Sequence, residues 1–338
     1  MKFNFFSALK YIVSTALAVG LFWYLYRNQP VGEMLEKFKQ IDYKWVVIAG
    51  AIYLLSHYNR AVRWNLMLKP LGYDAGNFRT FLAVLVGYLA NLAVPRSGEF
   101  TRCAILNRTA NIPVNISFGA VIAERVIDMI CMILITVVIV FLEFDKIGDF
   151  ILQGFNQNSN QNSNQNSSQK YIILSIIALV GILILGTIIY FRKKLQQLPI
   201  YNKIEIFILG LKDGLLSVLR LDNRSKILFI GHTISIWICY CLTSYYLFFT
   251  LPETSVLGLD CGLAVLVMSA VSVIIPAPAG SAGVYHYFIG NTVVLYGLSQ
   301  QQGMELAFLM HSAQTFFIIA AGSIALIVSL VLANSVRK

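Results

Sequence analysis

The sequence predicts an all-α, polytopic integral membrane protein, a single transmembrane domain over residues 1–338 with about eight helical segments. Three observations predict this class. The chain is 57% hydrophobic and 12% charged, with a mean hydropathy of +0.70, which leaves too little polar surface for a water-soluble globule. Apolar windows of the roughly 20 residues that cross about 30 Å of hydrocarbon recur along it. Proline and glycine interrupt one such window in each half.

Eight apolar windows predict the individual helices. The first follows Lys2 and Lys10, as the core of a secretory signal would, but no small-residue cleavage site comes after it. We therefore interpret it as a retained helix. The windows are Ala8–Tyr26, Trp45–Leu68, Phe78–Val94, Val114–Phe141, Tyr171–Phe191, Ile227–Thr250, Leu257–Ile275 and Met304–Leu332.

The charges predict the sidedness of the loops. The net charge of +10 does not indicate nucleic acid, because basic residues hold the cytoplasmic loops of a polytopic protein in place. Residues 192–226 carry eight Lys or Arg among apolar residues at helical spacing, which predicts an amphipathic helix on the anionic inner leaflet. The tract at 156–169, NQNSNQNSNQNSSQ, has no charge and no apolar residue and is predicted to be a disordered external loop. Both chain termini are expected in the cytoplasm.

The first half, residues 1–141, contains a broken helix. Pro95 and Gly98 interrupt the segment 78–108, where a continuous helix would need a regular backbone. If the following window Val114–Phe141 runs from inside to outside, this segment must enter and leave on the inner side. We therefore predict a re-entrant hairpin, which a membrane protein tolerates only where the break is buried or faces a wet cavity.

The second half, residues 227–338, repeats the pattern over 257–298 in the run VSVIIPAPAGSAGVYHYFIGN. The break near Gly280 leaves backbone N–H groups free to bind a ligand, and His286 follows on the next half-helix. Paired interruptions in two halves are typical of transporters with a binding site near the membrane midplane. Each hairpin also precedes a long span with polar groups in its first half: Glu124, Arg125 and Asp128 in one copy, His311, Ser312 and Gln314 in the other.

The charged residues of the first long span are the strongest site candidates. Spacings of three and four place Glu124, Arg125 and Asp128 on one side of the helix. Charges inside a membrane are costly, so these residues should face protein or water and find partners. Two interpretations stay open: a cluster that lines a cavity, or a structural pair of Arg125 with Asp128.

The first break offers an anion site. Ser97 is placed to cap a helix that starts near Gly98, and Arg96 and Arg102 flank that helix start, an arrangement that suits an anion. A self-satisfied pair of Glu99 with Arg102, three apart, is the alternative.

A third polar patch lies in SHYNRAVRWNLML, residues 56–68. His57, Arg60 and Trp64 share one helix face, and Arg60 can lie over the indole ring. Arg and Trp at a membrane boundary are typical interfacial anchors. We favour that interpretation over a ligand-binding role.

Taken in order, these segments resemble the lysylphosphatidylglycerol synthase transmembrane-region, or flippase-like, family over nearly the whole chain. The resemblance rests on NRAVRWNLML, NLAVPRSGEFTRCAIL, AVIAERVIDMI and the late Pro and Gly hairpin before YG. It implies two re-entrant repeats around a cavity for a lipid headgroup. The second hairpin departs from the family, with one Gly fewer beside Gly280 and His286 where many relatives have an acid. By resemblance, the residues meeting phosphate or amine groups would be Arg96, Glu99, Arg102, Glu124, Arg125 and Asp128.

The sequence thus predicts a flippase-like transporter of a membrane lipid or lipid-linked headgroup in a bacterial inner membrane, and not an enzyme. In some relatives this region is fused to a soluble synthase domain, so a separate synthase or another membrane protein is an expected partner. An intramembrane lipid-modifying transferase and a non-catalytic scaffold stay open as alternatives. We predict no catalytic residue, metal or cofactor, because the four histidines are scattered over four segments.

Overall fold

The computed structural model describes residues 38–143, 221–274 and 278–336, together with Gly32, Glu36 and Val218. The predicted helices at 8–26 and 171–191, the tract at 156–169 and nearly all of the basic segment lie outside these residues. Within them the chain forms helices and no strand, which confirms the predicted all-α class. The helices are α1 (Tyr43–Leu68), α2 (Asn77–Ala93), α3 (Gly98–Ala110), α4 (Val114–Leu142), α5 (Asn223–Phe248), α6 (Leu259–Ile274), α7 (Pro278–Val294) and α8 (Gln300–Val336).

Three of these helices, α4, α5 and α8, are long and apolar enough to cross a membrane. The helices α2 and α6 are apolar but shorter. At about 1.5 Å per residue, the 13 residues of α3 cover roughly 20 Å, which is less than the hydrocarbon thickness of about 30 Å. The shorter helices therefore come in two consecutive pairs, α2 with α3 and α6 with α7, and longer helices precede and follow each pair.

The helices α2 and α3 form an antiparallel hairpin around the predicted break. The backbone N–H of Gly98 donates to the side-chain oxygen of Asn91 at 2.7 Å. Gly87 lies against Gly98 and Arg102, and a methyl group added at Gly98 would overlap the carbonyl oxygen of Gly87. Arg96, in the connection, has a φ of 63°, a left-handed conformation that strains a residue other than glycine. The backbones approach this closely because both positions are glycine.

The helices α6 and α7 form a second antiparallel hairpin. Ser269 of α6 lies beside Tyr285 of α7, while Asp260, near the start of α6, lies beside Tyr296, just after α7 ends. Residues 275–277, which contain part of the predicted break, are outside the described residues. The next helix, α8, packs against α7, and Gly303 of α8 lies against Gly290 of α7.

The two hairpins open toward opposite ends of the bundle. The helices α1 and α5 are antiparallel, because Trp45 stacks on Tyr246 and Arg63 donates to Thr233. The start of α1 and the end of α5 therefore share one end of the bundle, from which the chain enters α6, and the chain enters α2 from the opposite end, where α1 stops. This is the geometry that an inverted pair of re-entrant hairpins requires. Their placement in the membrane stays a prediction.

The buried side-chain amide of Asn65 holds the connection between α1 and α2 in place by hydrogen bonds. Asn65 donates to Asp74 at 2.9 Å and to Asn77 at 3.2 Å, and it accepts from the backbone N–H of Ala75. The hydrogen bond from Asn65, followed by that from the backbone N–H of Gly76, lowers the pKa of Asp74. The carboxylate form of Asp74 therefore helps to hold α2 beside the end of α1.

Candidate functional site

A cavity of about 490 Å³ lies between the two hairpins and the long helices. Every described helix except α7 contributes to its wall. Apolar and aromatic residues make up much of the lining, including Tyr88, Trp237 and Tyr240. The charged and imidazole side chains of the wall are His57, Arg60, Glu99, Arg102, Arg125 and Asp128.

The central contact of the site joins α1 to α4. Arg60 donates to Glu124 at 2.5 Å and to Asp128 at 2.8 Å, and it also donates to the hydroxyl of Tyr240 at 3.1 Å. Arg63, one turn further along α1, donates to Asp128 at 2.7 Å. Spacings of three on α1 and four on α4 place each pair on one helix face, so the four groups interleave.

Two further arginines approach the same carboxylates. Arg102 of α3 donates to Glu124 at 3.3 Å, and its guanidinium carbon lies 4.6 Å from the ring centre of Trp64, a cation–π distance. Arg125 of α4 donates to Glu124 at 2.8 Å and lies 3.9 Å from Asp128. The side chain of Glu124 is 0% exposed, whereas that of Arg125 is 39% exposed.

The cluster has more positive than negative charge. Four guanidinium groups against two carboxylates leave a formal excess of two positive charges. In the described part of the chain, the buried Nε atoms of all four arginines also lack a hydrogen-bond partner. Buried charges need partners, so the arrangement favours an anion with several acceptor oxygens.

The structure brings four of the predicted site residues together: Arg102, Glu124, Arg125 and Asp128. Glu99 lines the same cavity, and among the described residues no ion pair joins it to Arg102. Arg96 is exposed on the connection before α3 and is not part of the cavity wall.

The predicted helix start is correct, but its cap differs from the prediction. Ser97 is the N-cap residue of α3 and makes no side-chain cap hydrogen bond. Its hydroxyl donates instead to the carbonyl oxygens of Ala90 and Val94. The Asn91 side chain accepts from the first helical N–H, because the hairpin brings the end of α2 against the start of α3.

Of the polar residues predicted in the second half, Gln314 lines the cavity, whereas the two histidines do not. His286 and His311 face each other with ring centres 5.1 Å apart, and neither is among the described residues that line the cavity. Gly280 lies in the first turn of α7. Within the ranges described above, no group of three His, Cys, Asp or Glu could hold a metal ion.

The anchor interpretation of Arg60 and Trp64 is wrong. Both side chains are buried, and the cation over the indole ring belongs to Arg102 rather than Arg60. Sequence reasoning also missed Arg63, which is 0% exposed. The available signal was two arginines three residues apart inside a long apolar helix, because both then face the same neighbour.

Fold and site together define a polytopic membrane protein with a buried, cationic cavity between two helical hairpins. The chain belongs to the family described as Lysylphosphatidylglycerol synthase TM region, which matches residues 11–322. This confirms the family predicted from the sequence. The chain is therefore a multi-pass membrane protein with a membrane lipid-related function.

Two relatives match parts of the chain. UPF0104 membrane protein MJ1595 of Methanocaldococcus jannaschii is 31% identical over 115 residues, which are 33% of this chain and 32% of that protein. Glycosyltransferase AglD of Haloferax volcanii is 30% identical over 100 residues, 29% of this chain and 16% of that protein. The match thus spans about a third of the first relative and about a sixth of the second. No solved structure matches the chain.

Proposed function

We propose that the protein is a flippase-like transporter that moves a membrane lipid, or a lipid-linked group with an anionic headgroup, between leaflets. The observation that carries this proposal is the cluster of four arginines and two carboxylates beside a cavity of about 490 Å³. The cluster has a formal excess of two positive charges, and one further carboxylate, Glu99, lines the described cavity wall. An anionic headgroup needs such a polar route, because hydrocarbon offers no partner for its phosphate.

The cluster supports transport through exchange of partners. Glu124 and Asp128 neutralise part of the arginine charge. A phosphate group can take over guanidinium N–H donors, because Arg presents several of them in a fixed fork. Arg125 is the guanidinium best placed for this exchange, since its side chain is 39% exposed. Arg60 and Arg102 also reach the cavity wall.

We propose transport rather than catalysis on the same geometry. A general base needs a carboxylate free to take a proton from substrate, and the two carboxylates of the cluster, Glu124 and Asp128, both accept hydrogen bonds from arginines. Glu99 is the one other carboxylate of the described cavity wall, and a catalytic alternative would depend on it. An inner-membrane location in a bacterium is part of the same proposal. Cooperation with a separate synthase or another membrane protein is proposed with it.

Reconstituted vesicles test the proposal. Phosphatidylcholine vesicles would carry a trace of acyl-labelled fluorescent phosphatidylglycerol, and dithionite would bleach the outer leaflet. We expect the protein to move the anionic probe faster than a labelled phosphatidylcholine. Arg125→Gln should slow that movement about tenfold or more, the loss expected for a charged hydrogen bond.

Arg108→Gln is the matched control, because Arg108 is an exposed arginine at the end of α3, away from the cavity wall. It should leave the rate unchanged. Movement of the anionic probe no faster than in protein-free vesicles would overturn the proposal.

A further inference from the structure

His57 is a buried imidazole with no partner for either ring nitrogen. Its side chain is 1% exposed and lines the cavity. Neither Nδ1 nor Nε2 has a hydrogen-bond partner among the described residues. The ring packs between Tyr53 and Tyr88, with ring centres 4.5 Å and 4.2 Å away. The packing explains the position of the ring and leaves its two nitrogens unexplained.

Packing alone would favour a different residue. A buried polar group without a hydrogen-bond partner lowers the stability of a protein, and native proteins keep few of them. A phenylalanine would occupy the same slot between the two tyrosines without that cost. The Nε atoms of Arg60 and Arg102, in the same cavity wall, are also without partners. Several donors without partners beside one cavity are the groups that an anion bound there would use.

We propose that His57 is a ligand-binding residue of the cavity that donates its ring N–H to a phosphate oxygen held by the neighbouring arginines. The proposal rests on the proposed function and adds a residue to its site. His57 and Arg60 are three residues apart on α1 and therefore lie on one face. A neutral imidazole has one N–H donor and one acceptor nitrogen. A phosphate oxygen suits the donor, and a headgroup hydroxyl or a water suits the acceptor.

The test separates a ligand-binding role from a packing role. His57→Phe keeps an aromatic ring between Tyr53 and Tyr88 and removes both nitrogens, whereas His57→Gln keeps an N–H donor. Isothermal titration of the detergent-solubilised protein would measure binding of dihexanoylphosphatidylglycerol and, separately, of inorganic phosphate. Thermal unfolding without ligand would measure stability.

We expect opposite effects of His57→Phe on stability and binding. The ligand-free protein should unfold at an equal or higher temperature, because two unsatisfied polar atoms are gone. Affinity for the short-chain lipid should fall about tenfold or more, the loss of one hydrogen bond to a charged group. His57→Gln should retain part of the affinity.

His232→Phe is the matched control, because His232 lies outside the cavity wall and its Nδ1 is 2.7 Å from the side-chain oxygen of Asn59. It should lower the unfolding temperature and leave affinity unchanged.

Each outcome decides the proposal. Wild-type affinity in His57→Phe overturns it, even where translocation is intact. Weaker binding in His57→Phe supports the ligand-binding role of His57. If the wild-type protein binds the lipid in this way but does not move it between leaflets, only the proposed transport function is overturned. If the wild-type protein binds inorganic phosphate but not the lipid, and His57→Phe weakens that binding, His57 is a phosphate ligand and the lipid is excluded as the source of the phosphate. If the wild-type protein binds neither probe, both the role of His57 and the proposed function on which it rests are overturned.

Discussion

At the residue scale, Glu124 holds the site together. Its two oxygens accept from Arg60, Arg102 and Arg125, and one of them lies 3.4 Å from Arg63. Four guanidinium groups this close would repel one another without a shared carboxylate. The buried network is also costly to form, because each charge must leave water. Such a network is better explained by a binding function than by stability alone.

The arginines of the cluster should divide into a structural and an exchangeable group. Arg63 is 0% exposed and donates to Asp128 and Thr233. Arg63→Met should therefore lower the unfolding free energy by about 1–3 kcal/mol, the cost of leaving buried hydrogen-bond acceptors without their donor. Arg125→Met, the same change at a side chain that is 39% exposed, should cost less stability and lose more transport. Denaturation in detergent and vesicle translocation measure the two effects.

The reverse order, with Arg125 dominating stability, would contradict this division. Asp128 is the informative neighbour, because its direct partners are Arg60 and Arg63, at 2.8 Å and 2.7 Å, while Arg125 lies 3.9 Å away. A purely structural pair of Arg125 with Asp128 is therefore not what the geometry supports.

The sequence predicted four of the six cluster residues, Arg102 of α3 and the three charged residues of α4. Charges on α4 stand out against an apolar helix, and their spacing alone places them on one face. Arg60 and Arg63 were missed because their partners on α4 are more than sixty residues away in sequence, and no local pattern encodes that contact. A nearby Trp made the local pattern typical of a membrane interface.

At the element scale, the α2–α3 hairpin depends on glycine. The break itself was predictable, since Pro95 and Gly98 act on the local backbone. The contact of Gly98 with Gly87 and the cap from Asn91 were not, because both come from packing of one helix on the other. Local chemistry thus fixes where the helix breaks, and tertiary contact fixes how the two halves meet.

Gly98→Ala should disrupt this hairpin. A Cβ there would overlap the carbonyl oxygen of Gly87 and the side chain of Asn91, so backbone must shift, at an expected cost of about 1–3 kcal/mol. Gly119→Ala is the matched control, because a Cβ at Gly119 of α4 meets no atom within 4 Å. Unfolding temperature in detergent checks both. Equal temperatures for the two variants would contradict the tight crossing.

At the scale of the whole molecule, the two ends of the bundle differ in charge. The backbone N–H of Asp42 donates to the carbonyl of Thr250 at 3.2 Å, so the start of α1 and the end of α5 share one end. Counting loops and the first and last turns of the helices, that end has five described acids and two bases, and the opposite end has five bases and two acids. Basic loops favour the cytoplasm. The acids are Glu36, Asp42, Glu143, Glu253 and Asp260, and the bases of the opposite end are Lys69, Arg79, Arg108, Arg224 and Lys226.

This asymmetry predicts opposite sidedness for the two hairpins. In a variant whose five cysteines are alanine, single cysteines would replace Phe78 or Asn107, at the open end of the α2–α3 hairpin, and Val256 or Ser299, beside the open end of the α6–α7 hairpin. All four residues are exposed. We expect a membrane-impermeant maleimide to label the first pair only from the cytoplasmic face, because that end is basic, and the second pair only from outside. Intact spheroplasts and inside-out vesicles give the two faces, and detergent-lysed membranes give full labelling as the control.

Labelling of Phe78→Cys and Asn107→Cys from different faces would make α2–α3 a span plus a loop. The cavity would then lose the inverted hairpin pair on which alternating access to the two leaflets depends.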